Sequence, residues 1–270
     1  MLRKLLKYDL RANLRIFLFV WPTLLVLALL NRLALFSPLE GNLWEFLTSL
    51  TLILHIFAML AAGLAAFIIA IVRFYRGLLR EEGYLMFTLP VRPWQLLLSK
   101  LLTALLCELG TLLVSLLSLV ILLVANPDVQ EFIRYVSPDF ADVINAGTVV
   151  LLVLTTIASV AAGLQQIYMS LAVGHLARKH RILLAVLFYY GLNVVYRSVS
   201  ATLSTIGASR LTTTDFDVLF AYLDPHPPVQ LVNASLGISL AIMLIGNLIY
   251  FFVTELILRK NLNLEYPQKP

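Results

Sequence analysis

Two ionisable side chains, Glu108 and Arg197, stand inside long apolar runs of the sequence. Charge is expensive in apolar surroundings, so an acid or base kept there needs a partner, water or a ligand. Polar residues recur around them at helical spacing. Glu108, Thr111, Ser115 and Ser118 would share one helix face, Thr155, Ser159, Gln166 and Ser170 a second, and Tyr190, Asn193, Arg197 and Ser204 a third. These stripes could line a translocation path, with Glu108, Thr111, Ser115, Gln166, Asn193 and Arg197 as its contact groups. Alternatively, they could hold helices together by hydrogen bonds and do nothing more. Glu255 says less, because Arg259 four residues on can pair with it locally.

Other chemistry lacks its residues. His55, His175, His180 and His226 fall in different segments without H-E-x-x-H or similar spacing, so no metal site is expected, and His175 and His180 are read as part of a basic loop. Glu81 and Glu82 begin the E-E-x-x-x-R pattern of certain intramembrane proteases, but Met86 stands where that pattern needs arginine. No catalytic residue is assigned. The phosphate loop G-x-x-x-x-G-K-[ST] does not occur, so this chain is expected to bind no ATP in the usual way and to carry no cofactor itself. The lone cysteine, Cys107, can form no intrachain disulfide.

The elements that must position these residues are dictated by composition. Hydrophobic residues make up 60% of the chain and charged residues 13%, and the mean hydropathy is +0.91. Soluble domains carry roughly 45–50% apolar and about 25% charged residues, so much of this surface must face lipid. Six apolar runs, at 16–36, 48–72, 97–124, 147–174, 182–206 and 233–258, are each long enough to cross about 30 Å of hydrocarbon. The first is too long for a signal-peptide core and lacks a small-x-small cleavage site, so it is read as an anchor. The expected fold is an all-α integral membrane protein of six transmembrane helices, forming one membrane domain over residues 1–270. Ahead of the first span, residues 1–15 place Leu2, Leu5, Leu6, Leu10 and Leu14 on one side and Lys4, Lys7, Arg11 and Arg15 on the other. That pattern suits an amphipathic interfacial helix against membrane lipids, or a plain basic segment that sets orientation.

The net charge of +5 is topological and not a nucleic-acid footprint, because the cations flank the spans instead of forming one patch. With both termini cytoplasmic, the inner segments hold 16 of the 20 Lys and Arg. Arg32, Arg134, Arg197 and Arg210 are the remainder, and nine acids from Glu40 to Asp224 fall outside. An odd number of spans would break this asymmetry. Small residues at fourfold spacing, Ala58, Ala62, Ala66 and Ala70 on the second span and Ser159 with Gly163 on the fourth, predict close helix approach.

The inner segment at 73–100 is unlike an ordinary loop. Arg76, Arg80, Glu81 and Glu82 are followed by Tyr84, Leu85, Met86, Phe87 and Leu89, a dense apolar stretch broken by Pro90 and Pro93. Pro93 suits the first turn of a new helix, with Trp94 at the interface and Lys100 snorkelling outward. Such apolar surface needs a cover, either the lipid headgroups or a groove on a cytoplasmic partner.

The stretch EGYLMFTLPVRPWQLLLSKLL, at 82–102, resembles the segment between the second and third spans of ATP-binding-cassette (ABC) exporter permeases of the type 2 class. The matching positions are Glu82, Gly83, Tyr84, Leu89, Pro90, Val91, Ser99, Lys100 and Leu101, and the basic start, the six spans and the tail LRKNLNLE at 258–265 are more loosely similar. The resemblance implies a multi-pass permease of the cell membrane, working as a pair of permease copies with separate ABC ATPase subunits that bind ATP and Mg. It implies a coupling segment at 73–100 that docks on those subunits through Glu82, Gly83, Tyr84, Leu85, Phe87, Leu89 and Pro90. An ion-coupled carrier and a membrane enzyme are the alternatives. Topology is directly testable. With Cys107 replaced by serine, cysteines introduced at Ser137 and Thr213 should react with an impermeant thiol reagent added outside cells, whereas one at Gln268 should not; outside labelling at 268 would overturn the six-span arrangement.

Overall fold

A computed structural model describes residues 2–35, 41–80, 83, 86, 88, 91–124, 130, 131, 134, 145–177, 179–212 and 229–260. Six long helices dominate it: α1 (Leu2–Leu35), α2 (Asn42–Phe74), α3 (Pro93–Leu123), α4 (Ala146–Gly174), α5 (Arg181–Thr212) and α6 (Val229–Lys260). All six are long and apolar enough to cross a membrane. The chain is therefore a multi-pass helical membrane protein, and the six expected spans lie one on each helix. At 1.5 Å per residue the 34 residues of α1 extend about 51 Å, well beyond about 30 Å of hydrocarbon. Residues 1–15, expected as a surface helix ahead of the first span, are continuous with it from Leu2. No proline or glycine interrupts the helix at that junction, and Pro22, further on, is carried inside it.

Backbone contacts gather the chain into two compact units, Met1–Arg73 with Gln95–Val136, and Phe74–Trp94 with Ser137–Pro270. In the first unit the helices meet through small residues. Phe17 of α1, Ala66 of α2 and Cys107 of α3 form a buried cluster, with Trp21 and Ile69 packed against it. Ala62, Ala66 and Ala70 are buried along one side of α2, as their spacing predicts, while Leu60, Leu64 and Ile68 are exposed. Lipid is as apolar as leucine, so what draws these helices together is the close fit that alanine permits.

The second unit is built on α4, which packs against α6 and α5. Residues Leu164–Ser170 of α4 are buried on every side. Asn145 caps α4 in a reciprocal box: Thr148 N–H donates to Asn145 Oδ1 at 2.8 Å, and Asn145 N–H to Thr148 Oγ1 at 3.5 Å. The turn from α4 into α5 is tight because residue 174 is glycine; a Cβ there would meet the Arg181 carbonyl oxygen at 2.6 Å and the Ala185 Cβ at 2.7 Å. The expected small-residue contact on α4 shifts by one position: Ser159 is exposed and Gly163 has open space around its Cα, whereas Ala158 is buried. Asn247 of α6 donates from Nδ2 to the Ala158 carbonyl oxygen at 3.0 Å, so a polar side chain reaching a backbone acceptor selects the face. If the alanine side of α2 is a packed seam, Ala66→Leu should lower thermal stability in detergent by roughly 1–3 kcal/mol through overpacking. Ala61→Leu, on the exposed side, should be close to neutral; equal effects would refute the seam.

Candidate functional site

The stretch that resembles a coupling segment is largely helical at its flanks. After α2 the chain tightens into a π-helical turn at Tyr75–Leu79, closed by Arg80 N–H donating to the Tyr75 carbonyl at 3.1 Å. Gly77, Leu78 and Leu79 are buried in this turn. Arg80 is extended and exposed, its guanidinium 5.2 Å from the centre of the Tyr75 ring, and Gly83 N–H donates to its carbonyl at 2.8 Å. Helix α3 begins at Pro93, as expected from proline's fixed φ and missing N–H. Gly83 is buried. The other expected docking residues, Glu82, Tyr84, Leu85, Phe87, Leu89 and Pro90, lie outside the described residues.

Residues Phe74–Trp94 belong to the second compact unit, although the helices on either side of them belong to the first. Aromatic contacts fix the segment's start there. The Phe74 ring stacks on Tyr168 of α4 at 4.0 Å and 6°, and Tyr75 meets the His175 ring edge-on at 5.2 Å. His175, read from sequence as part of a basic loop, is instead buried at the end of α4, its Nδ1 3.3 Å from the Leu171 carbonyl. His180 remains exposed in the turn, with φ 57°.

In the first unit the two motif residues Ser99 and Lys100 share one partner. Lys100 Nζ lies 2.5 Å from Asp9 Oδ1, and Ser99 Oγ lies 3.3 Å from Asp9 Oδ2. The Lys100 side chain is only 10% exposed, so it does not snorkel outward as expected but turns to α1. Arg73, at the end of α2, donates from its guanidinium to the Ala12 carbonyl at 3.0 Å. Residues 9–12 of α1 are thus tied to the last residues of α2 and the first turns of α3. Sequence reasoning missed this clamp. Its available signal was Asp9, the one acid among the first fifteen residues, which has no reason to sit in a basic amphipathic stretch unless a cation needs it.

The polar stripes resolve into groups already satisfied and groups left over. Thr111 Oγ1 donates to the Cys107 carbonyl at 2.9 Å and accepts from Trp21 Nε1 at 3.1 Å. Thr155, Ser159 and Ser170 each donate to a carbonyl three or four residues back in their own helix, at 2.6 to 2.8 Å. Hydroxyls used in this way offer a solute no free donor. Gln166 is buried and donates weakly to the Tyr189 carbonyl at 3.5 Å. Ser115 is half-buried, and its carbonyl accepts from Ser118 Oγ at 2.8 Å. Glu108 Oε1 is buried without a partner among the described residues. Asn193 is half-buried and Arg197 exposed on α5. Glu108, Thr111 and Ser115 belong to the first unit, Gln166, Asn193 and Arg197 to the second.

Two further contacts complete the first unit's interior. His55 Nε2 of α2 lies 3.3 Å from Ser118 Oγ of α3, both fully buried. At Gly110, a Cβ would meet Trp21 Cζ2 at 2.6 Å, so only glycine lets the indole lie flat against α3 and reach Thr111. Among the described residues no group of three or more His, Cys, Asp or Glu side chains could hold a metal ion. Comparison with known proteins finds no matching family model, curated protein or solved structure.

If Asp9 and Lys100 form a productive pair, Asp9→Ala and Lys100→Met should each destabilise the protein by about 1–3 kcal/mol, because each leaves a half-buried charge alone. The double variant should cost less than the sum by about 1 kcal/mol or more. A double-mutant cycle on unfolding in detergent checks this, and strict additivity would refute the pair.

Proposed function

We propose that this chain is the permease subunit of an ABC exporter of the type 2 class, with residues 73–100 as the segment through which ATPase subunits drive it. The observation that carries the reading is how the two ends of that segment are held. Residues 74–94 pack with the second unit through Phe74 and Tyr75, yet they are covalently continuous with α2 and α3 of the first unit. The adjoining helix ends are fastened to α1 by Arg73 and by Lys100. A push on residues 80–92 therefore acts on both units at once, which is what a coupling element requires.

On this reading both termini are cytoplasmic and the membrane is the cell membrane. ATP binding and hydrolysis belong to the partner subunits; this chain contributes the docking surface, the lever and the path. Of the expected path groups, Glu108 and Ser115 in the first unit, and Gln166, Asn193 and Arg197 in the second, keep bonding capacity that Thr111 has spent on the Cys107 carbonyl and Trp21. Arg197, exposed among Val194, Val195 and Val199, supports a second permease copy or a water-filled lumen against α5, since a bare charge in hydrocarbon costs about 2.5–3.5 kcal/mol or more.

A specific observation also favours an ion-coupled carrier: the buried, unpartnered Glu108 Oε1 would suit a proton or cation site. One experiment separates the two. Truncating a large apolar anchor in an interface costs about 2 kcal/mol or more, a roughly 30-fold loss of affinity. Phe87→Ala and Leu89→Asp should therefore sharply reduce co-purification of an ABC ATPase from native membranes at matched expression. Lys179→Gln, an exposed charge outside residues 73–100, should leave recovery unchanged. Equal recovery from all variants, or transport driven by an ion gradient without ATP, would reject the exporter reading.

A further inference from the structure

We propose that a cavity of about 420 Å³ between the start of α3 and the last turns of α6 is a binding site for an anionic glycerophospholipid, with Arg92 and Arg259 holding the phosphate and Glu255 a headgroup hydroxyl. Arg92, Pro93, Trp94, Glu255 and Arg259 line it, all within the second compact unit. Its volume lies in the range of roughly 300–1,000 Å³ that holds small ligands and far exceeds the roughly 30 Å³ of one water.

The charges select the ligand. Two guanidiniums and one carboxylate leave one positive charge, which a single phosphodiester neutralises. Glu255 and Arg259 are four residues apart and could satisfy each other locally, yet among the described residues no ion pair joins them. Instead, both line the cavity. Guanidinium forks match phosphate oxygens in pairs, and Glu255, which can only accept, needs a donor such as a glycerol hydroxyl. A fatty-acid carboxylate would supply no such donor. Trp94 gives the wall the half-apolar, half-polar character of a residue at the membrane boundary.

The surface below the cavity selects a lipid over a soluble phosphate. Leu248, Phe252 and Leu256 of α6 are 59%, 63% and 51% exposed and lead along one side of the helix toward Arg259. From 248 to 259 the helix rises about 16 Å, close to half of the roughly 30 Å hydrocarbon thickness. An acyl chain lying on that stripe brings its phosphate to the two arginines. Basic pockets between membrane helices recognise anionic headgroups in this way. On the proposed topology this is the cytoplasmic leaflet, but the site depends neither on the exporter reading nor on any partner.

The test uses the full chain in nanodiscs containing phosphatidylglycerol, phosphatidylethanolamine and phosphatidylcholine, with lipid retention read by native mass spectrometry after detergent release. Wild type should retain phosphatidylglycerol preferentially. At roughly fivefold per guanidinium, Arg92→Gln or Arg259→Gln should each lower that retention about fivefold and the double variant about 30-fold, with Lys179→Gln unchanged. Cooperative thermal unfolding shows that each variant is folded; should the double variant fail to fold, the two single variants decide. Equal retention of the three lipids by wild type, or retention unaffected by the arginine substitutions, would overturn the site. Displacement of the lipid by excess inorganic phosphate would reassign it to a soluble ligand and overturn the lipid assignment. Loss of ATPase recovery with retention intact would bear on the exporter reading alone.

Discussion

Inside a bilayer a polar group has no water to fall back on, and that constraint selects which helix faces meet at many of the described contacts. Most hydroxyls within the spans meet it locally, as Thr103 does by donating to the Ser99 carbonyl at 2.7 Å and Thr254 by donating to that of Tyr250 at 2.7 Å. Other side chains, whether or not they also bond within their own helix, reach a second one. Trp21 finds Thr111, Asn31 the Thr51 carbonyl at 3.3 Å, Thr148 the Asn233 Oδ1 at 2.8 Å, and Asn247 the Ala158 carbonyl. Each such bond is worth only about 0.6 kcal/mol in a membrane, so together they specify which faces meet more than how firmly. Close approach supplies the remainder, at Ala66 under Phe17 and at Gly110 under Trp21.

The same constraint relaxes where the chain leaves hydrocarbon, and there charge takes over. Asp9, Lys100, Arg73, Arg92 and Arg259 all sit at helix ends or in the segments flanking them, and Lys100 and Arg73 are used to bind one element to another. Ser99 and Lys100 thereby acquire a physical reason to follow the apolar run 96–98 in that order. Ser99 is buried, its single hydroxyl proton within reach of either the Leu96 carbonyl at 2.9 Å or Asp9 Oδ2 at 3.3 Å, while Lys100 is placed to neutralise the same carboxylate. The N-terminal stretch of α1 is held by these bonds to the end of α2 and the first turns of α3.

The architecture was legible because its signals are long. Runs of twenty or more apolar residues and the fourfold alanines of α2 average over many positions, and one substitution barely alters them. Pro93 was readable as a helix start for a different reason: its missing N–H and fixed φ suit few other places. Contacts between residues about ninety apart, such as Asp9 with Lys100 and Trp21 with Thr111, leave no periodic trace, since each partner looks ordinary in its own segment. The polar stripes were visible but ambiguous, because spacing records which face a threonine occupies and not whether its hydroxyl is already bonded to the turn behind it. His175 was misplaced for a related reason. It stands beside Arg178 and Lys179 in sequence and so reads as loop, whereas an aromatic edge from Tyr75 draws its ring into the end of α4.

Helix α5 shows how the same rules extend to what the chain must meet next. It is the least buried of the six, with Ile182, Leu187, Tyr190, Val194 and Val195 all exposed. An apolar side of that kind is at home in lipid and by itself asks for nothing. Arg197 changes the balance, because it shares that helix and makes no ion pair or hydrogen bond among the described residues. Asn193, one turn earlier and half-buried, likewise makes no hydrogen bond among the described residues. Two polar groups one turn apart define a strip of α5 that lipid tails solvate badly. The surfaces that would solvate it well are water or a polar counterpart on another chain, which is why the proposed path and the proposed second permease copy converge on this helix.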